Sequence, residues 1–300
     1  MTTLETTATI TTTADEADDD AASVLTTRYQ QSVAEYWNKE KHPVNIRLGE
    51  VDGTYHHHYG LGDVEWSVLE GDPAGREDRI VKELHRLEAA QADYLLDRLG
   101  DLGPADRILD AGSGRGGTGF MANQRFGCRV DGISISEEQV KFANGQARQR
   151  GVADKVAFHF RNMLHNEFPD ATFQAVWNNE STMYVDLYKL FAEHARVLKP
   201  GGRYVTITGC FNDVHGRQPS RAVSQIDAHY ICDIHPRSDY FAAMAANDLV
   251  PISVVDLTAA TIPYWELRAQ AAVASGIEDA FLTAYKEGSF HYLMIAADRV

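Results

Sequence analysis

The sequence predicts an α/β fold built on a mostly parallel sheet, and two observations predict it. From Arg107 onward, short apolar segments of strand length alternate with longer segments whose apolar residues recur at helical spacing. A glycine-rich turn directly follows the first of these apolar segments. Alternation of this kind favours parallel strands joined by right-handed crossovers, with helices on both faces of the sheet.

The predicted elements follow one another along this region. Strands are predicted at residues 107–111, 128–135, 156–161, 173–177, 203–208, 252–257 and 290–296. Helices are predicted at 120–126, from the capping residue Ser136 to Gly151, at 186–198 and around 277–286. Gln139 stands where a reciprocal capping box would place it. The turn from Lys199 to Gly202 ends one helix, because proline and glycine do not continue it.

The region before the sheet divides into two parts. Residues 1–23 contain eight threonines and six acidic residues but no Lys or Arg, so they fit neither a signal peptide nor a transit peptide, and we expect a disordered tail. Residues 24–100 form a second region that ends in a helical pattern from Ile80 to Leu99, with Gly100 as its stop. We expect this region to be a helical cap on the domain at 101–300.

Composition excludes several classes of protein. The formal net charge of -15 is a poor match for the phosphates of nucleic acids, so we expect no nucleic-acid partner. No apolar run reaches 18 residues, which predicts no stable membrane insertion and suggests a cytoplasmic protein. Cys128, Cys210 and Cys232 are odd in number and lack CxxC spacing, which argues against disulfides or a zinc site.

The glycine turn is the most informative segment. Gly112, Gly114 and Gly116 follow the first strand, where glycine lets the backbone approach a ligand closely. Gly112, Gly114 and Gly117 also fit the dinucleotide fingerprint G-x-G-x-x-G, in which a helix N-terminus binds pyrophosphate. Asp110, directly before the turn, and Asp131, in the second strand, favour a cationic ligand with ribose hydroxyls instead. A nicotinamide enzyme and a turn without ligand remain alternatives at this point.

Further candidates lie where strands two, three and four end. Asn162 and Met163 follow the third strand and Glu180 follows the fourth, and ligands of such folds bind at this edge of the sheet. Glu180 can act as a base or orient a water, or it can be an ordinary loop carboxylate. Consecutive histidines at 56–58 point in different directions, which disfavours direct metal ligation by all three.

These motifs resemble a broad enzyme family and, within it, one narrower family. The L-D-x-G-x-G-x-G loop, the S-x-x-Q stretch at Ser136 and the L-K-P-G-G turn are similar to class I S-adenosylmethionine-dependent methyltransferases. Longer segments from about residue 28 to Val300 resemble the actinobacterial geranyl diphosphate 2-C-methyltransferases. These segments are YWN at 36–38, PVNIRLG at 43–49, YHHHYG at 55–60, WNNESTMYVDL at 177–187, GGRYVTITGC at 201–210 and PYWELR at 263–268.

The resemblance implies a Rossmann-like sheet of seven strands with a reversed last strand. It implies C-methylation of geranyl diphosphate at carbon 2 with S-adenosylmethionine and Mg²⁺, giving (E)-2-methylgeranyl diphosphate and S-adenosylhomocysteine, on the route to 2-methylisoborneol. The N-terminal cap at 24–100 and an insertion at about 211–237 would then cover the substrate. The partner would be a small isoprenoid diphosphate, and we expect a homo-oligomer.

The resemblance also suggests the residues of the site, while the ligands of the metal stay undetermined. As catalytic residues it suggests Glu180, with Tyr59 and Tyr230 beside a carbocation. As cofactor-binding residues it suggests Tyr36, Asp110, Gly112, Gly114, Gly116, Asp131, Ser134, Gln139, Asn162, Met163 and Asn178. As substrate-binding residues it suggests Asn45, Arg47, His57, Trp177, Tyr184, Phe211 and Trp265. Alternatives are another sterol or prenyl methyltransferase, and a cofactor-binding module without activity.

Overall fold

The computed structural model describes residues 24–39, 43–214 and 216–300. The tail predicted at residues 1–23 lies outside the described residues. Within them, a single sheet of seven strands forms the centre, and helices cover it. None of the helices in these described ranges is long and apolar enough to cross a membrane.

The sheet has the predicted topology. Its strands stand in the order β3-β2-β1-β4-β5-β7-β6. The first four neighbouring pairs are parallel, whereas β7 is antiparallel to both β5 and β6, which confirms the reversed last strand. The strands are β1 (Arg107–Ala111), β2 (Arg129–Ser134), β3 (Val156–Phe160), β4 (Phe173–Asn179), β5 (Leu198–Phe211), β6 (Leu249–Asp256) and β7 (Phe290–Arg299).

Helices precede, connect and follow these strands. They are α1 (Arg28–Asn38), α2 (Pro43–Gly49), α3 (Arg76–Leu96), α4 (Gly117–Phe126), α5 (Glu137–Gln149), α6 (Leu187–Val197), α7 (Arg221–Tyr230), α8 (Arg237–Ala245), α9 (Thr258–Arg268) and α10 (Glu278–Lys286). Short 3₁₀ turns lie at Trp66–Leu69, Pro73–Gly75 and Thr182–Tyr184. The insertion predicted at about 211–237 contains α7, which packs against α10.

Each face of the sheet has its own apolar core. Ile108 and Leu109 are neighbours in β1, yet they pack into different cores, because successive side chains of a strand point to opposite faces. Trp177 and Val176, neighbours in β4, likewise pack into different cores. Since both faces are covered, the central strands are buried along most of their length.

Three predictions about local structure need correction. The fifth strand begins at Leu198 rather than Arg203, because Leu198 already pairs with Phe173 of β4, ahead of an irregularity after which the pairing resumes at Arg203. A helix at Thr258–Arg268 was not predicted, since Pro263 lies inside it. Ser136 caps α5 as expected, but the Gln139 side chain accepts from the Ser134 hydroxyl at 2.9 Å instead of completing a capping box.

Candidate functional site

A cavity of about 730 Å³ lies at the carboxyl edge of the parallel strands, and we call it the sheet-edge cavity. The strand order reverses between β1 and β4, so the loops that follow these strands diverge and leave a crevice there. Helix α1 lies across it. The lining residues are Gln30, Val33, Trp37, His57, Gly112, Gly114, Ile133, Ser134, Ile135, Gln139, Arg161, Asn162, Met163, Asn179, Glu180, Ser181, Tyr184 and Val185.

The glycine turn forms the floor of the sheet-edge cavity, and two of its positions require glycine. Gly112 has a φ of +87°, and a Cβ there would lie 2.4 Å from Cβ of Ser181. Gly114 has a φ of +54°, and a Cβ there would lie 3.2 Å from the His57 ring. The amides of Gly112 and Ser113 both donate to the carbonyl of Ile133, which ties the turn to β2. The turn is therefore rigid and leaves its open side to a ligand.

Asn178 holds the turn from below. Its amide nitrogen donates to the carbonyl of Ala111 at 2.7 Å and to the hydroxyl of Ser181 at 2.9 Å. Its amide oxygen accepts from His194 and Tyr204, both at 2.8 Å. With every polar atom of its side chain bonded inside the protein, Asn178 supports the cavity wall without lining it.

Polar side chains along the far wall come from the ends of β2 and β3. Ser134 and Gln139 are bonded to each other and both line the sheet-edge cavity. Asn162 follows β3, donates to the carbonyl of Val24 at 3.0 Å and accepts from the amide of Leu164 at 3.0 Å. These contacts fix short amide and hydroxyl groups around the cavity, which suits a ligand rich in hydroxyl and amino groups.

A second cavity of about 530 Å³ adjoins the first, and we call it the aromatic cavity. Its walls come from the N-terminal segment, the region around α7, and the ends of α9 and β7. Four residues, Trp37, His57, Glu180 and Tyr184, line both cavities. The other lining residues are Asn45, His58, Tyr59, Met183, Ile226, Tyr230, Cys232, Ile234, Arg268 and Phe290.

Glu180 lies at the junction of the two cavities. Its backbone is in the left-handed region, with a φ of +52°, which costs a non-glycine residue roughly 1–3 kcal/mol and is typical of functional sites. Among the described residues, neither carboxylate oxygen has a hydrogen-bond partner of standard geometry, although both are enclosed. Burial raises the pKa of this carboxyl to about 8, while the nearby Tyr292 hydroxyl acts in the opposite direction.

Aromatic rings form a layered wall in the aromatic cavity. The Tyr59 ring lies 4.6 Å from Trp265 and 5.0 Å from Phe281, centroid to centroid. Trp265 and Phe281 stack at 3.7 Å behind it. Tyr230 lines the cavity from α7 and lies 6.4 Å from Phe281. The layer behind Tyr59 fixes the face that this ring presents to the cavity.

One cationic side chain, Arg268, is buried in this wall. Its Nε lies 3.0 Å from the Glu278 carboxylate, and both side chains are almost fully enclosed. The same guanidinium contacts the Tyr264 hydroxyl, which donates to Glu88 at 2.8 Å. Burial raises the pKa of the Glu88 carboxyl to about 8, which favours its neutral form. Arg268 is therefore a charged side chain beside the aromatic cavity, and its carboxylate partner is Glu278.

The structure brings about half of the predicted site residues to the two cavities. Those that line at least one cavity are Asn45, His57, Tyr59, Gly112, Gly114, Ser134, Gln139, Asn162, Met163, Glu180, Tyr184 and Tyr230. The other nine lie outside both linings. They are Tyr36, Arg47, Asp110, Gly116, Asp131, Trp177, Asn178, Phe211 and Trp265.

Two predicted acidic residues, Asp110 and Asp131, lie outside the lining of the sheet-edge cavity. Asp131 lies in the middle of β2, too early in the strand to reach the edge, and its carboxylate pairs with Arg107 at 2.6 Å and His159 at 2.9 Å. Asp110 is buried beside the first turn of α4, with Oδ2 3.5 Å from the Cβ position of Gly119. Burial raises the pKa of Asp110 to about 8. Neither carboxylate faces the sheet-edge cavity.

Three further predicted residues lie outside both cavity linings and either support the walls or point away from them. The Tyr36 hydroxyl donates to the carbonyl of His229 at 2.9 Å and so ties α1 to α7. Gly116 packs on Phe158, where a Cβ would lie 2.4 Å from the ring. Arg47 is paired with Asp78 at 2.7 Å near the surface.

The other predicted residues outside the linings are aromatic and buried. Trp177 belongs to the core beneath β4, Phe211 is the buried last residue of β5, and Trp265 forms the layer behind Tyr59. The family resemblance suggested each of them as a substrate-binding residue. The alternation of side chains along a strand, and the packing of α9, placed them one layer behind the cavities.

Several residues that line the cavities were not predicted from the sequence. Gln30, Val33 and Trp37 all come from one face of α1 and cover the sheet-edge cavity. Their helical spacing was visible, but nothing in the sequence indicated which surface that face would meet. Arg268 was likewise visible in the PYWELR segment, three residues after Trp265, and its burial was the property that sequence could not give.

Comparisons with known proteins agree with this geometry. The family described as "Methyltransferase domain" matches residues 108–202. The chain is 66% identical over 280 residues to a geranyl diphosphate 2-C-methyltransferase of Saccharopolyspora erythraea, covering 93% of this chain and 96% of that protein. It is 57% identical to one of Streptomyces lasalocidi, covering 91% of each.

A solved structure is similar over nearly the same span. The geranyl diphosphate C-methyltransferase of Streptomyces coelicolor A3(2), in complex with Mg²⁺, geranyl-S-thiolodiphosphate and S-adenosyl-L-homocysteine, superposes with a TM-score of 0.89 at 55% identity. The match covers 92% of this chain and 99% of that one. A second structure, in complex with geranyl diphosphate and sinefungin, gives a TM-score of 0.89 at 57% identity, covering 91% and 100%.

Proposed function

Because this chain belongs to the geranyl diphosphate 2-C-methyltransferase family, we propose that it methylates geranyl diphosphate at carbon 2. The methyl donor is S-adenosylmethionine, and the products are (E)-2-methylgeranyl diphosphate and S-adenosylhomocysteine. The single observation that carries the proposal is the position of Glu180, an enclosed carboxyl at the junction between a polar, glycine-floored cavity and an aromatic one.

The sheet-edge cavity fits the methyl donor. Gly112 and Gly114 present bare backbone to this cavity, and Ser134, Gln139 and Asn162 offer hydrogen bonds to ribose, amino and adenine groups. When bound there, S-adenosylmethionine supplies an electrophilic methyl group. The chain's own part is to orient that ligand so that its reactive end faces Glu180 and the aromatic cavity.

The aromatic cavity fits a branched alkene that becomes positively charged. When carbon 2 of the alkene takes the methyl group, its double-bond electrons form the new bond and leave a tertiary cation at carbon 3. Ring faces stabilise such a cation by roughly 0.5–2 kcal/mol each without adding to it as nucleophiles. Tyr59 and Tyr230 line this cavity, and the rings behind Tyr59 keep bulk water out.

Loss of a proton from carbon 2 completes the reaction and restores the double bond. Glu180 is the group that we assign to this step, either directly or through a water that it holds. Its enclosed carboxyl has no partner of standard geometry within the described part of the chain that would compete for the proton. With a pKa near 8, the carboxyl accepts a proton more readily than an exposed glutamate would.

The diphosphate requires compensating charge in a protein of formal net charge -15. Arg268, Asn45 and His57 line the aromatic cavity and can contact an anion there. Among the described residues, no group of three His, Cys, Asp or Glu side chains forms a metal site. We therefore propose that Mg²⁺, which offsets the charge of the diphosphate, enters with the substrate instead of occupying a site made by this chain alone.

A product analysis tests the proposed function. Purified protein is incubated with geranyl diphosphate, Mg²⁺ and S-adenosylmethionine, and the dephosphorylated product is examined by gas chromatography and mass spectrometry. We expect 2-methylgeraniol, with farnesyl diphosphate and a sterol as much poorer acceptors. Methyl transfer to one of those acceptors in preference to geranyl diphosphate would replace the proposal with another lipid methyltransferase.

Two further expectations stay predictions. Assembly into a homo-oligomer is tested by light scattering on the purified protein, and a cytoplasmic location by fractionation of the source cells. The covering roles of residues 24–100 and about 211–237 are supported by the contribution of α1, Tyr59 and Ile226 to the two linings.

A further inference from the structure

A buried polar cluster that the steps above do not use lies beside Glu180. Gln91 of α3 and Asn179 of β4 form a reciprocal amide pair, in which Gln91 Nε2 donates to Asn179 Oδ1 at 2.7 Å and Asn179 Nδ2 donates to Gln91 Oε1 at 2.9 Å. Gln91 Nε2 also donates to the hydroxyl of Tyr292 on β7 at 3.0 Å. Gln91 and Tyr292 are both fully buried.

The direction of these bonds determines what the Tyr292 hydroxyl can do. Because its oxygen accepts a hydrogen from Gln91, its own hydrogen must be directed to another acceptor. The acidic group that this hydroxyl meets is the carboxyl of Glu180. No hydrogen bond of standard geometry joins the two groups in this structure, and hydrogen bonds of a catalytic group often tighten only when substrate fills the site.

We propose that Tyr292 is a positioning residue for Glu180: held by Gln91, its hydroxyl donates to the Glu180 carboxylate and keeps it directed at the junction of the two cavities. This inference rests on the proposed function, in which Glu180 receives the proton. A carboxylate that lacked this donor would be free to rotate within its enclosure, and its charged form would lose a stabilising contact.

The titratable groups that surround Glu180 determine how strongly the Tyr292 donor affects its carboxyl. The titratable side chains that interact with its carboxyl from the packed elements are neutral at physiological pH: Tyr59, Cys210, Cys232, Tyr240, Tyr285 and Tyr292. His57 and the charged Arg268 line the same aromatic cavity. Burial raises the pKa of Glu180 to about 8, and the Tyr292 contact lowers it.

The sign of the pH effect follows from the role of Glu180. A base must be unprotonated, so turnover rises as the pH increases through the pKa of Glu180. Since the Tyr292 hydroxyl stabilises the carboxylate, its removal raises that pKa and moves the rise in turnover to higher pH. Loss of packing alone would lower turnover at every pH without moving the midpoint.

The test is the pH profile of kcat for Tyr292→Phe, with Tyr285→Phe as the matched control. Tyr285 is a buried tyrosine near Glu180 whose hydroxyl has no hydrogen bond of standard geometry among the described residues and interacts with Trp265. We expect Tyr292→Phe to move the midpoint upward by about one pH unit, so that turnover falls up to about tenfold below the midpoint and recovers above it. Tyr285→Phe should leave the midpoint in place.

Two further measurements separate the possible outcomes. Affinity for S-adenosylhomocysteine and the melting temperature show whether each variant is folded, and Gln91→Met, which cannot orient the hydroxyl, should give a smaller shift in the same direction. An unmoved midpoint in folded Tyr292→Phe, or in Gln91→Met if Tyr292→Phe does not fold, overturns the inference. Absence of methylated product from the unaltered protein overturns the proposed function instead.

Discussion

The floor and far wall of the sheet-edge cavity come from the ends of consecutive strands, beneath α1 and His57, whereas the aromatic cavity is assembled entirely from segments far apart in the chain. The first has a floor of backbone glycines and walls of short polar side chains from β2 and β3. The second brings together residues as distant as Asn45, Tyr230 and Phe290. Glu180 and three other residues belong to both.

This difference predicts how each cavity responds to mutation. Backbone geometry defines the first cavity, so a change there should disturb ligand binding through steric overlap. Side-chain chemistry defines the second, so changes there should alter turnover while binding in the first cavity persists. A change at Glu180, at the junction, should lower turnover more than a change in either cavity alone.

The largest expected effect is therefore at the junction. Glu180→Gln removes the proton acceptor but keeps the shape of the side chain, and general bases typically contribute about 10²–10⁴-fold to turnover. We expect kcat to fall by that factor with saturating geranyl diphosphate, while affinity for S-adenosylhomocysteine, measured by calorimetry, stays unchanged.

Glu167→Gln is a matched control for this change. Glu167 also has a left-handed backbone, with a φ of +61°, but its side chain is exposed. It should behave like the unaltered protein. A Glu180→Gln enzyme whose turnover stays within about threefold, less than ~1 kcal/mol in barrier height, would show that the carboxylate is not needed for deprotonation.

A second, smaller effect tests the backbone-built cavity. Gly112→Ala places a Cβ 2.4 Å from Ser181 and also strains the positive φ, so the turn must move. We expect affinity for S-adenosylhomocysteine to fall about 100-fold, or ~2.7 kcal/mol. Gly100→Ala has the same strain at φ +85° but meets nothing within 4 Å, so it should keep full affinity. Equal losses in both variants would contradict the steric argument.

The smallest expected effect tests the aromatic cavity. Tyr230→Leu removes one ring face next to the developing cation, a change of roughly 0.5–2 kcal/mol that corresponds to about 2- to 30-fold in kcat. Affinity for S-adenosylhomocysteine should not change. Tyr188→Leu, at an exposed position on α6, is the control. If the variant loses cofactor affinity as strongly as turnover, the two cavities are not independent in the way that their construction suggests.

The two cavities also differ in how well the sequence predicted them. Gly112, Gly114, Asn162 and Met163 follow strands directly, so a local pattern and the rule for parallel sheets placed them at the sheet-edge cavity. Asp131 lies outside the lining, because its position inside β2 and its pairing with Arg107 depend on strand boundaries that a pattern gives only approximately. Trp177 lies in a core, because neighbouring residues of a strand face opposite cores.

For the aromatic cavity, the chemical type of a residue did not predict whether its side chain lines the cavity. Tyr59 and Tyr230 line it, whereas Trp265 stands one layer behind, and aromatic character does not distinguish these cases. The Gln91–Tyr292 pair joins α3 to β7 across 201 residues of sequence, and Tyr264, which contacts Arg268, joins α9 to Glu88 of α3 across 176 residues. No local pattern records such contacts.

The sequence by itself determined the glycine turn and the carboxylate after β4, since each follows from local periodicity or from a motif, and its resemblance to a family implied the reversed last strand. Only the tertiary structure decided which side chains reach a cavity, which acids stay buried, and which donor stands next to Glu180. The physical reason is that burial and hydrogen-bond direction belong to the packed assembly of distant segments, whereas turns and strands are specified by neighbouring residues.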